Sequence, residues 1–212
     1  VILNLDEINA SSAQIEELIS IFKHFKISGK KIYAYGTNIN AVKYRLASIS
    51  NKIIMPNTYS ASLDLTGYFS NSIYYKGLLD KFGVSIEAIH VGSHKSAGEN
   101  FYLDKMSDEL RADTTRLFDN RLNNLIDTIA TNRKLNKKEV EKNILNGDFA
   151  SLSPYKARDY SLIDEIYDFD TFMSKNMINS SKIETFSNLL SKSSNSSKKS
   201  INNNVAIISL EG

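Results

Sequence analysis

Lys95 is the residue whose type and setting point to chemistry beyond the carrying of charge. It stands in Val91-Gly92-Ser93-His94-Lys95-Ser96-Ala97-Gly98. An alternating apolar run precedes it: Val84, Ile86, Ala88 and Val91, with Ile89 on the opposite face. Alternation at period two predicts a strand that ends at Gly92. In sheets built from β-α-β units, ligands and chemistry gather beyond the carboxyl ends of the strands. The small neighbours of Lys95 leave room for a second surface to come close. A lysine works as a general base only as the neutral amine. An amine that titrates near ~10.4 in water is brought towards 7–8 by loss of water, a change of about 4 kcal/mol. The apolar cover that would do this is expected to come from elsewhere, with Ser93 or Ser96 holding the amine by a hydrogen bond.

Other candidate chemistry is weaker. His90 and His94 lie at the same turn, but two histidines without a third ligand at diagnostic spacing do not make a metal site, and an adjacent ammonium opposes a cation. His24 falls within an amphipathic helical pattern. There is no Gly-x-Ser-x-Gly elbow, and Gly36-Thr37-Asn38 lacks the spacing and lysine of a phosphate loop. Lys137-Lys138 and Lys198-Lys199 read as solvated pairs rather than nucleic-acid contacts. The absence of cysteine excludes disulfides, thiolate metal sites and cysteine nucleophiles. No cofactor is implied.

The elements that must position Lys95 follow from the pattern. Val1 to Leu5 reads as a buried strand. Ser11 and Gln14 form a capping box that opens a helix with Ile15, Leu18, Ile19, Phe22 and Phe25 on one face, stopped by Gly29. Lys31 to Tyr35 is a second strand, a short helix covers 40–48, and Lys52 to Met55 is a third strand closed by Pro56. Leu63 to Gly67 is extended, and a helix is expected over 71–81. Beyond Gly98, Ser107 caps a long helix reaching about Ala130, with Asp108 and Glu109 suited to its first turn. Asn136 caps another, Ser153-Pro154 opens a third, and Ser161 to Ile166 follows before a last helix over 170–177. Strands 20–30 residues apart with helices between them define an α/β fold with a mainly parallel sheet, followed by helices.

The chain has 212 residues, 42% hydrophobic and 24% charged, with a net charge of +2. That charge is too small to argue for nucleic acid or an anionic membrane as partner. No apolar run approaches the ~20 residues of a membrane helix. Composition divides the chain into a repeat over 1–178, a Ser/Asn/Lys-rich linker over 179–204, and a strand over 205–212 read as the start of a truncated second repeat. Val1 already opens a strand and no initiator Met precedes it, so a longer parent protein is expected.

Four segments together carry a family resemblance: Gly29-Lys30-Lys31-Ile32-Tyr33-Ala34-Tyr35-Gly36, Tyr44-Arg45-Leu46-Ala47-Ser48, Tyr74-Tyr75-Lys76-Gly77-Leu78-Leu79-Asp80-Lys81, and Val91 to Ala97. In order and spacing they resemble the signal peptide peptidase A (protease IV) family of the Clp-protease/crotonase superfamily. The likeness is to the amino-terminal repeat of the long bacterial form. Ala157 to Ile166 resembles the "Ala … Leu-Ile/Val-Asp" segment of that superfamily. The resemblance implies a Clp/crotonase-like fold and a Ser/Lys-dyad endopeptidase acting on cleaved signal peptides. It also implies a tetrameric bowl on the outer face of the cytoplasmic membrane, held there by a segment absent here.

On that resemblance Lys95 is the catalytic lysine, and the nucleophilic serine sits in the second repeat. The corresponding stretch of this repeat reads Ala41-Val42-Lys43-Tyr44 where the family's nucleophile segment reads Ser-Gly-Gly-Tyr. Ala41 therefore stands at the nucleophile's position, and residues 1–212 alone are expected to be inactive. Two alternatives remain. An acyl-CoA enzyme of crotonase type would need enolate-binding backbone N–H donors and a CoA face, neither visible here. A scaffold repeat used for assembly would leave Lys95 as a relic.

Overall fold

The computed structural model describes residues 1–89, 91–92 and 94–176. The expected linker and second-repeat strand lie outside the described residues. The first strand, β1 (Ile2–Asn4), leads into α1 (Ser12–Ile27), β2 (Tyr33–Tyr35), β3 (Asn38–Asn40) and α2 (Ala41–Ala47). Then come β4 (Lys52–Met55), β5 (Ser62–Asp64), α3 (Lys76–Lys81) and α4 (Glu99–Tyr102). The long α5 (Asp108–Arg133) is followed by α6 (Lys137–Leu145), α7 (Pro154–Asp159), β6 (Glu165–Ile166) and α8 (Phe169–Lys175).

The main sheet has the order β1-β2-β4-β6, and every pairing in it is parallel. Leu3 faces Ala34 and Ala34 faces Ile53 across the ladder. A second parallel pair, β3 with β5, aligns Ile39 with Leu63. The fold is therefore of the α/β class with a mainly parallel sheet. Local signals set the helix starts. Ser11 and Gln14 make the capping box of α1, Ser107 caps α5, Asn136 caps α6, and Ser153 caps α7 with Pro154 in its first turn. The core gathers Leu5, Ile15, Ile32, Ile53, Leu63, Phe149 and Leu162 with Leu125, Ile126 and Ile129 of α5. Each such fully buried aliphatic side chain contributes about 1.5–3 kcal/mol.

A compact unit covers Val1–Phe169. The remainder, Asp170–Gly212, is described only to Asn176 and consists there of the body of α8.

Two expectations are corrected. The strand predicted over Val84 to Val91 is not found among the described residues: 84–89 carry no strand, Ile89 is fully exposed and Val91 is 84% exposed. An isolated strand cannot satisfy its backbone, so alternation becomes a strand only beside a partner. Neither described sheet, β1-β2-β4-β6 or β3-β5, takes in any of residues 84–89. The helix expected over 71–81 is also shorter, forming only from Lys76.

Candidate active site

The stretch from Thr66 to Asn124 lies outside the core: among its described residues only Glu99 is buried. This excursion leaves β5, passes through α3 and α4, and returns along the amino-terminal half of α5. Tyr75 holds α3 to α4, its N–H donating to the Asn100 carbonyl at 2.6 Å and its ring stacked on Phe101 at 5.6 Å. Tyr68 stacks on Phe118 of α5 at 6.2 Å.

Lys95 sits in the turn between α3 and α4 and is exposed. Its N–H donates to the Gly92 carbonyl at 3.4 Å. Gly92 (φ 105°) and Gly98 (φ 86°) lie in the left-handed region on either side, where a side chain would be strained. Two ties reach α5. His94 Nδ1 lies 2.8 Å from Asp113 Oδ2, and Arg116 donates to the other oxygen of Asp113 at 3.0 Å. Glu99 accepts from the N–H and the hydroxyl of Ser107 at 3.2 and 2.7 Å. A cleft of about 390 Å³ adjoins the turn, lined by residues that include Ile73, Tyr74, Ser96, Glu99 and Leu110.

Lys95 has no side-chain partner among the described residues, whereas Lys76 of α3 is paired with Asp80. A hydrogen bond to Asp80 at 2.8 Å, then the charge of Asp104, hold the Lys76 ammonium above the ordinary lysine range. In the chain that leads to this turn, Leu78, Phe82, Val84, Ile89 and Val91 are all exposed.

Ala41 to Tyr44, which the resemblance sets against a nucleophile segment, form the start of a capped helix. Asn40 accepts from the Lys43 N–H at 3.0 Å and so caps α2, which makes Ala41 its first residue. The turn before it has its donors occupied. Both Asp6 oxygens accept from Thr37 N–H at 2.9 Å, and one also accepts from Asn38 N–H at 3.2 Å. Backbone donors already bound to a carboxylate cannot serve an oxyanion. Gly36 itself is present for close approach, since a Cβ there would lie 2.9 Å from Leu5 Cβ and 3.1 Å from Ile39 Cγ1.

Of the histidines, His24 bonds to its own helix, Nδ1 donating to the Ser20 carbonyl at 2.9 Å. His90 and Ser93 lie outside the described residues. Among the described residues no group of three or more His, Asp or Glu side chains is placed to hold a metal ion, and no helix is long and apolar enough to cross a membrane. Sequence reasoning missed Glu99, Ser107 and Asp113 as a set. The only prior sign was Ser107 as an N-cap, because a contact across eight residues, from the four-residue α4 to the cap of α5, leaves no periodic trace.

A parallel α/β fold with an exposed lysine, Lys95, on an outlying turn is what known proteins can be compared with. Residues 24–183 match Peptidase family S49, and the chain belongs to that family. It is 36% identical over 118 residues to "Protease 4" of Salmonella typhi, covering 56% of this chain and 19% of that protein. "Protease 4" of Haemophilus influenzae is 33% identical over 120 residues, 57% of this chain and 19% of that protein. "Serine protease SPPA, chloroplastic" of Arabidopsis thaliana is 26% identical over 147 residues, 69% of this chain and 21% of that protein. The matched stretch thus spans about a fifth of the length of these relatives. A solved structure titled "Crystal structure of an Enzyme" overlays with a TM-score of 0.43 at 15% identity, covering 79% of this chain and 78% of that one.

Proposed function

We propose that this chain is the amino-terminal repeat of a membrane-associated Ser/Lys-dyad endopeptidase that degrades cleaved signal peptides, and that Lys95 is its general base. The observation that carries this reading is the contrast between two positions. Lys95 is unpartnered on a turn flanked by open apolar side chains, while Ala41, aligned with the nucleophile, begins a capped helix whose preceding N–H groups are taken by Asp6. The names of the relatives, two of them "Protease 4", support a protease. In this reading a second repeat of the same chain brings both the serine and the apolar cover. Neutral Lys95 takes the proton of the serine hydroxyl as its oxygen attacks the peptide carbonyl, and the lysine then delivers that proton to the leaving amine. Water hydrolyses the acyl-enzyme and releases the acid. The substrates are apolar peptides lying extended, and the working form is a homo-tetramer on the outer face of the cytoplasmic membrane.

The test is Lys95→Ala in the full two-repeat protein, assayed on an internally quenched apolar peptide. The expected loss of turnover is at least 10³-fold, with the oligomer unchanged by light scattering. Retained turnover would overturn the dyad and make this repeat a scaffold. Residues 1–212 alone are expected to hydrolyse nothing.

A further inference from the structure

Glu99 is the one buried side chain among the described residues from Thr66 to Asn124, at 6% exposure. A glutamate at the start of a four-residue helix on an open part of the molecule would ordinarily stay in water, since burying a carboxylate is unfavourable unless donors meet it. Here donors do. Ser107 supplies its N–H to one oxygen and its hydroxyl to the other. The same hydroxyl accepts from the Leu110 N–H at 3.2 Å, so Ser107 caps α5 and answers Glu99 at once. Glu99 lies four residues after Lys95. The intervening backbone is closed by the Glu99 N–H on the Ser96 carbonyl at 3.2 Å, with Gly98 making the reversal at positive φ. On the other side of Lys95, His94 meets Asp113 of the same helix at 2.8 Å. Both partners there are partly exposed, which makes it the weaker tie.

We propose that Glu99 is the positioning residue for Lys95: its carboxylate, held by Ser107, fixes the lysine turn on the amino-terminal end of α5 in the geometry in which the amine meets the serine. This rests on Lys95 being the base. A catalytic group displaced by about 1 Å loses on the order of a hundredfold in rate, so the fixing of this turn enters the rate directly. His94 and Asp113 act as the secondary tie.

The experiment compares Glu99→Ala, Ser107→Ala and Ser107→Thr with Lys95→Ala, all in the full two-repeat protein. It measures kcat and KM per folded molecule on the quenched apolar peptide, and hydrogen exchange at Lys95, Ser96 and Ala97. Glu99→Ala and Ser107→Ala are expected to lower kcat by 10-fold or more with KM within twofold, and to speed exchange at those three amides. Ser107→Thr, which keeps the hydroxyl, is expected to restore both. If Glu99→Ala does not fold, the Ser107 pair carries the comparison alone. Wild-type kcat in Ser107→Ala, with only the melting temperature lowered, would overturn the positioning role while loss of turnover in Lys95→Ala left the base intact. Turnover retained in Lys95→Ala would overturn both.

Discussion

Replacing Arg133 by Met should cost about 3 kcal/mol of stability. Arg133, the last residue of α5, donates to Asp164 through Nη1 at 3.0 Å and Nη2 at 2.9 Å, and through Nε and Nη2 to the Ser161 carbonyl at 3.1 and 3.0 Å. Burial works against its charge, but the hydrogen bond to Asp164, then the Tyr44 hydroxyl and the Asp164 charge, prevail and hold the guanidinium above its ordinary range. Asp164 in turn accepts from the Ile53 N–H at 2.7 Å, and its own N–H donates to the Ile53 carbonyl at 2.9 Å, which seats β6 on β4. Breaking a buried pair by removing one partner costs about 3–5 kcal/mol. The lower end applies because Asp164 is 31% exposed against 10% for Arg133. Met keeps the apolar bulk of the arginine stem, so the loss reports the charge and its donors. At roughly 2–4 °C per kcal/mol for a chain of this size, the melting temperature should fall by about 6–12 °C. Urea denaturation followed by circular dichroism gives the free energy directly, with an unchanged slope as the check that stability alone has moved. Asp164→Asn should cost a similar amount. The double variant should fall short of the sum by about 2 kcal/mol, because each single variant already removes the pairing that the two groups share. A loss under about 1 kcal/mol for Arg133→Met, or strict additivity, would refute the reasoning.

Two further outcomes are expected. The Tyr44 hydroxyl donates to the Leu162 carbonyl at 2.6 Å with its ring fully buried, and burial pushes the phenol well above its ordinary value of 10.0. The unfolded phenol ionises first as pH rises, so the folded state holds more protons and stability falls above pH 10.0, by up to about 1.4 kcal/mol per pH unit. Tyr44→Phe should remove that contribution and cost about 1 kcal/mol near neutrality. Urea midpoints of the two proteins from pH 7 to 11 make the check, and parallel curves would contradict it. Gly36→Ala should cost about 2 kcal/mol through overpacking, because its new methyl would meet Leu5 Cβ at 2.9 Å, a carbon fixed to the β1 end. An unchanged melting temperature would mean that β1 and β2 spread without penalty.

The helices with local signals were legible from sequence, and for one reason. Ser11 with Gln14, Ser107, Asn136 and Ser153 before Pro154 each act through bonds that close within three residues. The β1-α1-β2 unit and β4 were likewise legible, since Ile53, Ile54 and Met55 form a run buried on both faces. Val84 to Val91 misled because alternation states what a strand would bury and not whether a neighbour exists. Lys95 was legible as a candidate through its glycine-flanked turn and the family likeness. The grip of Glu99 on Ser107 was not, nor was the occupation of Thr37 and Asn38 by Asp6, thirty-one residues away. Both depend on which chain segments the fold brings side by side.

The 26 residues of α5 give it a length of about 39 Å, and its buried side chains are confined to Leu125, Ile126, Ile129 and Ala130. It is thus a lever gripped in the core near its carboxyl end, with the lysine turn carried on its amino-terminal end. Ser107 lies about 27 Å from Leu125 along the axis, so a tilt of roughly 2° at the grip swings the tip by about 1 Å, the scale at which a misplaced catalytic group loses rate. Substitutions among the packed residues around Ile129 would therefore reach the lysine by leverage, without touching it.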